Sequence, residues 1–206
     1  MSSEQTVFVV DDDQGIREGL SLLLQTVGQR CELYPTAISF LENFDQSRRG
    51  CLVLDVRMPR MTGLELQEKL KERGSSLPII FITGHGDIPL AVEAMRRGAL
   101  DFIRKPFREQ ELLDRINEAL EFDSNKRKER LDKQQLVGRL GSLTKREREV
   151  FERVADGHMN KVIAFDLGLS ERTVEVHRSH LMKKLGARTL AELIHIKIAV
   201  EQAGGA

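Results

Sequence analysis

Tryptophan is absent from this chain, tyrosine occurs once and cysteine only twice in 206 residues. Two cysteines cannot staple a disulfide scaffold. Cys31 and Cys51 both fall in strand-like stretches, where they read as small buried apolar side chains of a reducing compartment. No apolar run approaches the roughly 20 residues that a membrane-spanning helix needs. The first residues, Met1 to Thr6, show neither a basic nor an apolar leader pattern, so no secretory signal is expected. Low-complexity tracts and internal repeats are missing too. These absences exclude the secreted, membrane and fibrous classes and point to a cytoplasmic globular protein.

Net charge is also lacking, with 32 Lys and Arg against 32 Asp and Glu. The balance hides an asymmetry. Residues 1–121 carry 15 basic and 20 acidic side chains, whereas residues 122–206 carry 17 and 12. An acidic half joined to a basic half predicts two domains with different partners, the basic one suited to nucleic acid.

The acidic half alternates apolar runs with amphipathic segments. Strands are expected at 7–10, 31–34, 51–55, 78–83 and 100–103, and helices at about 15–27, 36–45, 63–73, 88–97 and 108–121. Ile16, Leu20, Leu23, Leu24 and Val27 recur at helical spacing, whereas Ile79-Ile80-Phe81-Ile82 is apolar throughout. Strands covered on both faces read that way in a parallel sheet. The fold class is therefore α/β, a five-stranded doubly wound parallel sheet followed by a small all-α domain.

In such sheets functional residues gather beyond the carboxyl ends of the strands. Taken in order, those ends are Asp11 and Asp12, then Asp55, Thr83 and Lys105. Converging carboxylates repel one another, and a hard divalent cation such as Mg²⁺ relieves the repulsion and recruits phosphate. The Asp55 carboxylate can then attack phosphorus, with Lys105 as a flexible positive charge and the Thr83 hydroxyl as a hydrogen-bond donor. Singly each residue has a plainer reading: an Asp pair as a turn or helix cap, Lys105 as a solvated strand end. The coincidence at successive strand ends favours phosphoryl chemistry at Asp55.

Residues 122–140 are polar and charged. A broken apolar stripe through Leu112, Ile116, Leu120, Leu131 and Leu136 predicts that the fifth helix runs on as a helical linker; a flexible charged tether is the alternative. Beyond it, Thr144-Lys145-Arg146-Glu147 forms a capping box for a helix at about 145–156. Helices at 160–167 and 171–185 flank the turn Gly168-Leu169-Ser170, the helix-turn-helix pattern, and a last helix is expected at 189–201. On the 171–185 helix, Val174, Leu181 and Leu185 share a core face. Arg172, Glu175, Val176, Ser179 and Lys183 lie opposite, a face suited to the major groove. The expected domains are 1–121, the 122–140 linker and 141–206.

The chain resembles the two-component response regulators. The motifs that carry this are Val9-Val10-Asp11-Asp12-Asp13, Leu54-Asp55-Val56-Arg57-Met58-Pro59, Ile82-Thr83-Gly84-His85 and Phe102-Ile103-Arg104-Lys105-Pro106-Phe107. The C-terminal half is similar to LuxR-type helix-turn-helix domains through Leu143–Val150 and Thr173-Val174-Glu175-Val176-His177-Arg178. The combination, with Thr83-Gly84-His85-Gly86-Asp87-Ile88-Pro89, resembles the FixJ-like branch.

The resemblance implies that Asp55 is the phosphoacceptor, charged by a sensor histidine kinase. Asp12, Asp55 and the Arg57 carbonyl would ligate Mg²⁺, and Asp11 would hold metal-bound water. Lys105 would contact the phosphoryl group, with a cis bond to Pro106. Thr83 and Phe102 would form the switch pair, while Arg57 and His85 would tune the lifetime of the acyl phosphate. Base contacts would fall to Glu175, Val176 and Ser179. Lys161, Arg172, Thr173, Arg178, Lys183 and Lys184 would contact DNA phosphates, and His177 would pack. The last helix, with Leu190, Leu193, Ile194 and Ile198, would supply a dimer seam. A homodimer formed on phosphorylation would read an inverted repeat in promoter DNA, with RNA polymerase as a further partner. Two other readings remain: a haloacid-dehalogenase-type phosphatase, which would need Asp where Arg57 stands, and a constitutive DNA binder with a vestigial receiver.

Overall fold

The computed structural model describes residues 5–84 and 88–204. The chain divides into two compact units, Met1–Lys126 and Arg127–Ala206.

The first unit is a five-stranded parallel sheet in the order β2-β1-β3-β4-β5. The strands are β1 (Thr6–Val10), β2 (Arg30–Tyr34), β3 (Gly50–Asp55), β4 (Ile79–Thr83) and β5 (Asp101–Arg104). Between them run α1 (Gln14–Thr26), α2 (Ala37–Glu42), α3 (Gly63–Glu72) and α4 (Ile88–Arg96). Successive side chains of a strand point to opposite faces, so continuous apolar strands feed two cores. Phe8, Val10, Leu52, Leu54 and Phe81 pack with Phe40, Leu66, Leu70 and Ala94 of α2, α3 and α4. Val7, Val9, Val53, Ile80 and Ile82 pack with Leu20 and Leu24 of α1 and with Leu112, Ile116 and Leu120 of the next helix, α5 (Glu109–Gly141). Each such buried aliphatic side chain contributes about 1.5–3 kcal/mol.

Helix α5 spans Glu109–Gly141 without a break. This bears out the helical reading of 122–140 over the tether. Its stretch 124–135 is almost wholly exposed, so helix-forming Lys, Arg, Glu, Gln and Leu carry it rather than packing. Leu140 is buried again, in the core of the second unit.

That unit adds α6 (Lys145–Ala155), α7 (Asn160–Leu167), α8 (Glu171–Leu185) and α9 (Leu190–Gly204). Thr144 and Glu147 form the expected reciprocal capping box on α6. The α7–α8 turn places Gly168 in the left-handed region at φ 64°, and the Ser170 side chain accepts from Thr173 N to cap α8. Val150, Phe151, Ile163, Val174, Leu181 and Leu193 close the core. Among the described residues no helix is long and apolar enough to cross a membrane.

Candidate functional site

In the order 2-1-3-4-5 the connections leave β1 and β3 in opposite directions, and a crevice opens beyond their carboxyl ends. Asp11 follows β1 directly and Asp55 ends β3. Both are buried, at 1% and 7% exposure. Lys105 Nζ donates to Asp11 Oδ2 and to Asp55 Oδ1, each at 2.7 Å. One ammonium thus bridges the two carboxylates that the sheet brings together.

The remaining oxygens are held by backbone. Asp55 Oδ2 accepts from Arg57 N at 2.7 Å, and Asp11 Oδ1 accepts from Asp13 N at 2.9 Å. Lys105 N donates to Thr83 O at 2.7 Å, which sets the Lys105 side chain beside the end of β4. The Lys105–Pro106 bond is cis. The crevice is tight: a Cβ on Gly63, the first residue of α3, would lie 2.3 Å from the Asp55 carbonyl oxygen. Only glycine lets α3 begin so close to the strand end.

Burial pushes the Asp55 carboxyl above its ordinary pKa, and Asp11 adds to the rise. The hydrogen bond and charge of Lys105, with the Arg57 amide, work the other way without overcoming it. Burial acts to lower the pKa of Lys105, but its bonds to Asp11 and Asp55 outweigh that, and the ammonium is held in its charged form.

Asp12 is exposed, and among the described residues no group of three or more His, Cys, Asp or Glu side chains is gathered as a metal site. The pair that does converge is Asp11 with Asp55. Its hard carboxylate oxygens still suit Mg²⁺, which binds through one or two carboxylates and keeps several waters. Thr83 is buried, and Phe102 is half-buried against the core of the α2–α3–α4 face. Arg57 is exposed beside Asp55. His85, Gly86 and Asp87 lie outside the described residues.

On α8, Arg172, Glu175, Val176, Ser179 and Lys183 are exposed, and Lys161 is exposed on α7. Val174, Leu181 and Leu185 are buried, as their spacing predicts. Arg178 Nη1 donates to Asn160 Oδ1 at 3.1 Å, and Thr173 shares a 2.7 Å hydroxyl contact with Ser170. His177 is half-buried.

Lys184 differs from its neighbours. Its Nζ lies 2.6 Å from Oε2 of the buried Glu147 and also donates to Ser142 O at 3.3 Å. The Lys184 hydrogen bond, followed by the Thr144 amide, holds the Glu147 carboxyl down at about 2. This pairing escaped the sequence reading, because a polar helix face reveals exposure but not a partner on another helix. The buried Asp123 escaped it as well.

Residues 7–117 match the family model of the response regulator receiver domain, and residues 141–197 that of bacterial regulatory proteins, luxR family. The transcriptional regulatory protein FixJ of Azorhizobium caulinodans is 40% identical over 198 residues, covering 96% of this chain and 94% of FixJ. The chain is a two-component response regulator of the FixJ family. Such a regulator is a transcription factor and not a turnover enzyme, which sets aside the phosphatase reading. The response regulator TmoT of Ectopseudomonas mendocina is 44% identical to it, with 94% of this chain and 88% of TmoT covered. A structure of the response regulator StyR superposes with a TM-score of 0.86 at 48% identity, over 97% of the regulator and 100% of StyR. A receiver domain implies a histidine kinase partner, and the helix-turn-helix implies DNA binding.

Proposed function

We propose that the regulator takes a phosphoryl group on Asp55 from a sensor histidine kinase in the cytoplasm and, so modified, binds promoter DNA as a dimer. The observation that carries this reading is the Lys105 bridge between Asp11 and Asp55 at adjacent strand ends. A buried carboxylate beside a fixed ammonium is an acceptor whose new charge has a partner in place.

In the transfer, an Asp55 oxygen bonds to phosphorus as the phosphorus–nitrogen bond of the kinase phosphohistidine breaks. Lys105, already oriented by Asp11 and Asp55, stabilises the transferred oxygens. Asp11, Asp12, Asp55 and the Arg57 carbonyl would hold Mg²⁺, which supplies charge compensation when bound. Buried Thr83 sits at the neighbouring strand end, next to Lys105, and donates its hydroxyl to the phosphoryl group. Phe102, half-buried against the core, turns inward behind it in this reading.

Glu175, Val176 and Ser179 face the bases in this reading, while Lys161, Arg172, Thr173, Arg178 and Lys183 anchor phosphates. Lys184 serves the fold through Glu147. Two copies of α8, held by receiver dimerisation, read an inverted repeat and present it to RNA polymerase. The reading is tested by dimerisation and promoter binding with and without phosphodonor. Asp55→Asn should abolish the dependence; a variant that still responds to the donor contradicts the proposal.

A further inference from the structure

The phosphoryl site is braced from α1. Arg17, near the start of that helix, is half-buried. Its Nη1 donates to the backbone carbonyl of Asp11 at 2.7 Å, six residues back along the chain. The turn between the two is fixed at its other joints as well. Asp13 N donates to Asp11 Oδ1 at 2.9 Å, and Asp13 Oδ1 caps α1 by accepting from Gly15 N at 2.7 Å and Ile16 N at 3.2 Å. Asp11 N donates to Tyr34 O, at the end of β2, at 3.3 Å. Asp11 is thus held through its amide, its carbonyl and both carboxylate oxygens, the second of these by Lys105.

The Asp11 carbonyl controls more than its own residue. A peptide group is planar, so Asp11 Cα, the carbonyl oxygen and Asp12 Cα lie in one plane. A guanidinium that holds the oxygen therefore holds the plane whose two ends carry the neighbouring carboxylates. Rotation of that plane would swing both of them. A charged donor on a rigid planar fork restrains an oxygen more strongly than a neutral donor does. Groups that orient metal ligands from outside the ligand set commonly change metal affinity by about 10–100-fold when removed.

We infer that Arg17 is a positioning residue for Mg²⁺: it holds the Asp11–Asp12 peptide in the orientation from which these carboxylates bind the ion. The inference rests on the proposed Mg²⁺ site at Asp11, Asp12 and Asp55. Other roles for Arg17 have a different signature. If it were only a nearby positive charge, its loss would tighten binding of a cation to the acidic pair. If it served only the fold, its loss would lower stability and leave Mg²⁺ affinity unchanged. A positioning role alone makes the loss of a positive charge weaken the binding of a positive ion.

The test follows Mg²⁺ binding itself, without phosphodonor. Mg²⁺ titrated into the ¹⁵N-labelled full chain should shift the Asp13 and Arg57 amide signals saturably, since these amides donate to Asp11 and Asp55. Arg17→Met keeps the apolar stem and loses the donor, and its Kd for Mg²⁺ should rise about tenfold. Arg17→Lys keeps a charged donor on a shorter stem and should recover part of that loss. Amide dispersion in the same spectra reports whether each variant is folded; if Arg17→Met is not, Arg17→Lys must still show a Kd above that of the wild type. An Arg17→Met variant that binds Mg²⁺ as tightly as the wild type, or more tightly, overturns the inference and leaves the metal site standing. So does an Arg17→Lys variant that binds no better than Arg17→Met. A wild type without a saturable shift overturns the metal site and the inference together.

Discussion

Asp123 Oδ2 accepts a hydrogen bond from the backbone N–H of Gly50 at 3.0 Å, tying α5 to the first residue of β3. Gln5 Nε2 donates to the same oxygen at 3.3 Å. Gly50 adopts φ +129°, and a Cβ there would lie 1.8 Å from Thr6 O, so the approach is closed to other residues. Asp123 is 1% exposed. A charged residue in what reads as linker is therefore part of the receiver core. Asp123→Ala should destabilise the receiver by about 1–3 kcal/mol, since it strands a buried amide. A fall in the urea midpoint, with slowed exchange lost at the Gly50 amide, would verify this.

The Glu147–Lys184 pair makes stability depend on acid. The carboxyl has an ordinary value of 4.5 and is held at about 2 when folded. A depressed folded pKa means that its contribution is present above about 4.5 and disappears as pH falls towards 2. Urea midpoints should drop through that window in the wild type and change less in Glu147→Gln. Lys184→Ala should cost about 1–2 kcal/mol at neutral pH while leaving promoter affinity nearly intact, which gel-shift titration can check.

Asp55 has the opposite sign. Its folded pKa is raised above 3.8, chiefly by burial. Its stabilising effect is full below 3.8 and is lost as pH rises through the folded pKa. At neutral pH the ionised carboxylate strains the receiver, so Asp55→Asn should raise Tm there and lose the advantage in acid. Calorimetry at pH 7 and at pH 3.5 separates the two; equal Tm values at pH 7 would contradict the electrostatic account.

The sheet was legible because a strand covered on both faces is apolar without interruption, as in Cys51-Leu52-Val53-Leu54. β1, β3 and β4 are buried throughout in this way, whereas the edge strands β2 and β5 are mixed; with the five strands in order, the strand-end rule places Asp11, Asp55 and Lys105 together. Boundaries were less legible. Helix α2 stops at Glu42, not at 45, because Asn43 caps it and Phe44 packs on the core from the loop. The first compact unit runs to Lys126, and Asp123 continues the buried stripe of Leu112, Ile116 and Leu120 beyond residue 121. That stripe was visible in the spacing, but a carboxylate on it reads as solvent-facing. Asp12 is exposed whereas its neighbour Asp11 is buried, a difference in burial that two adjacent carboxylates do not announce in sequence. Lys184 was illegible because its role depends on a partner, Glu147, on a distant element.

On the recognition helix, Arg172→Ala should weaken binding to all sequences alike and reduce the salt slope by about one. Glu175→Ala should instead relax preference at one base position, at a cost of about 1–3 kcal/mol on the preferred site. Selection of bound DNA by each variant, with affinities measured across salt, distinguishes an anchor from a reader.

In the proposed function Asp55, cradled by Lys105 and Asp11, accepts the phosphoryl group. Intact mass after incubation with acetyl phosphate and Mg²⁺ tests it most directly. One phosphoryl adduct should form on the wild type and none on Asp55→Asn. An adduct that persists in Asp55→Asn, or a wild type that takes up none, would contradict the account.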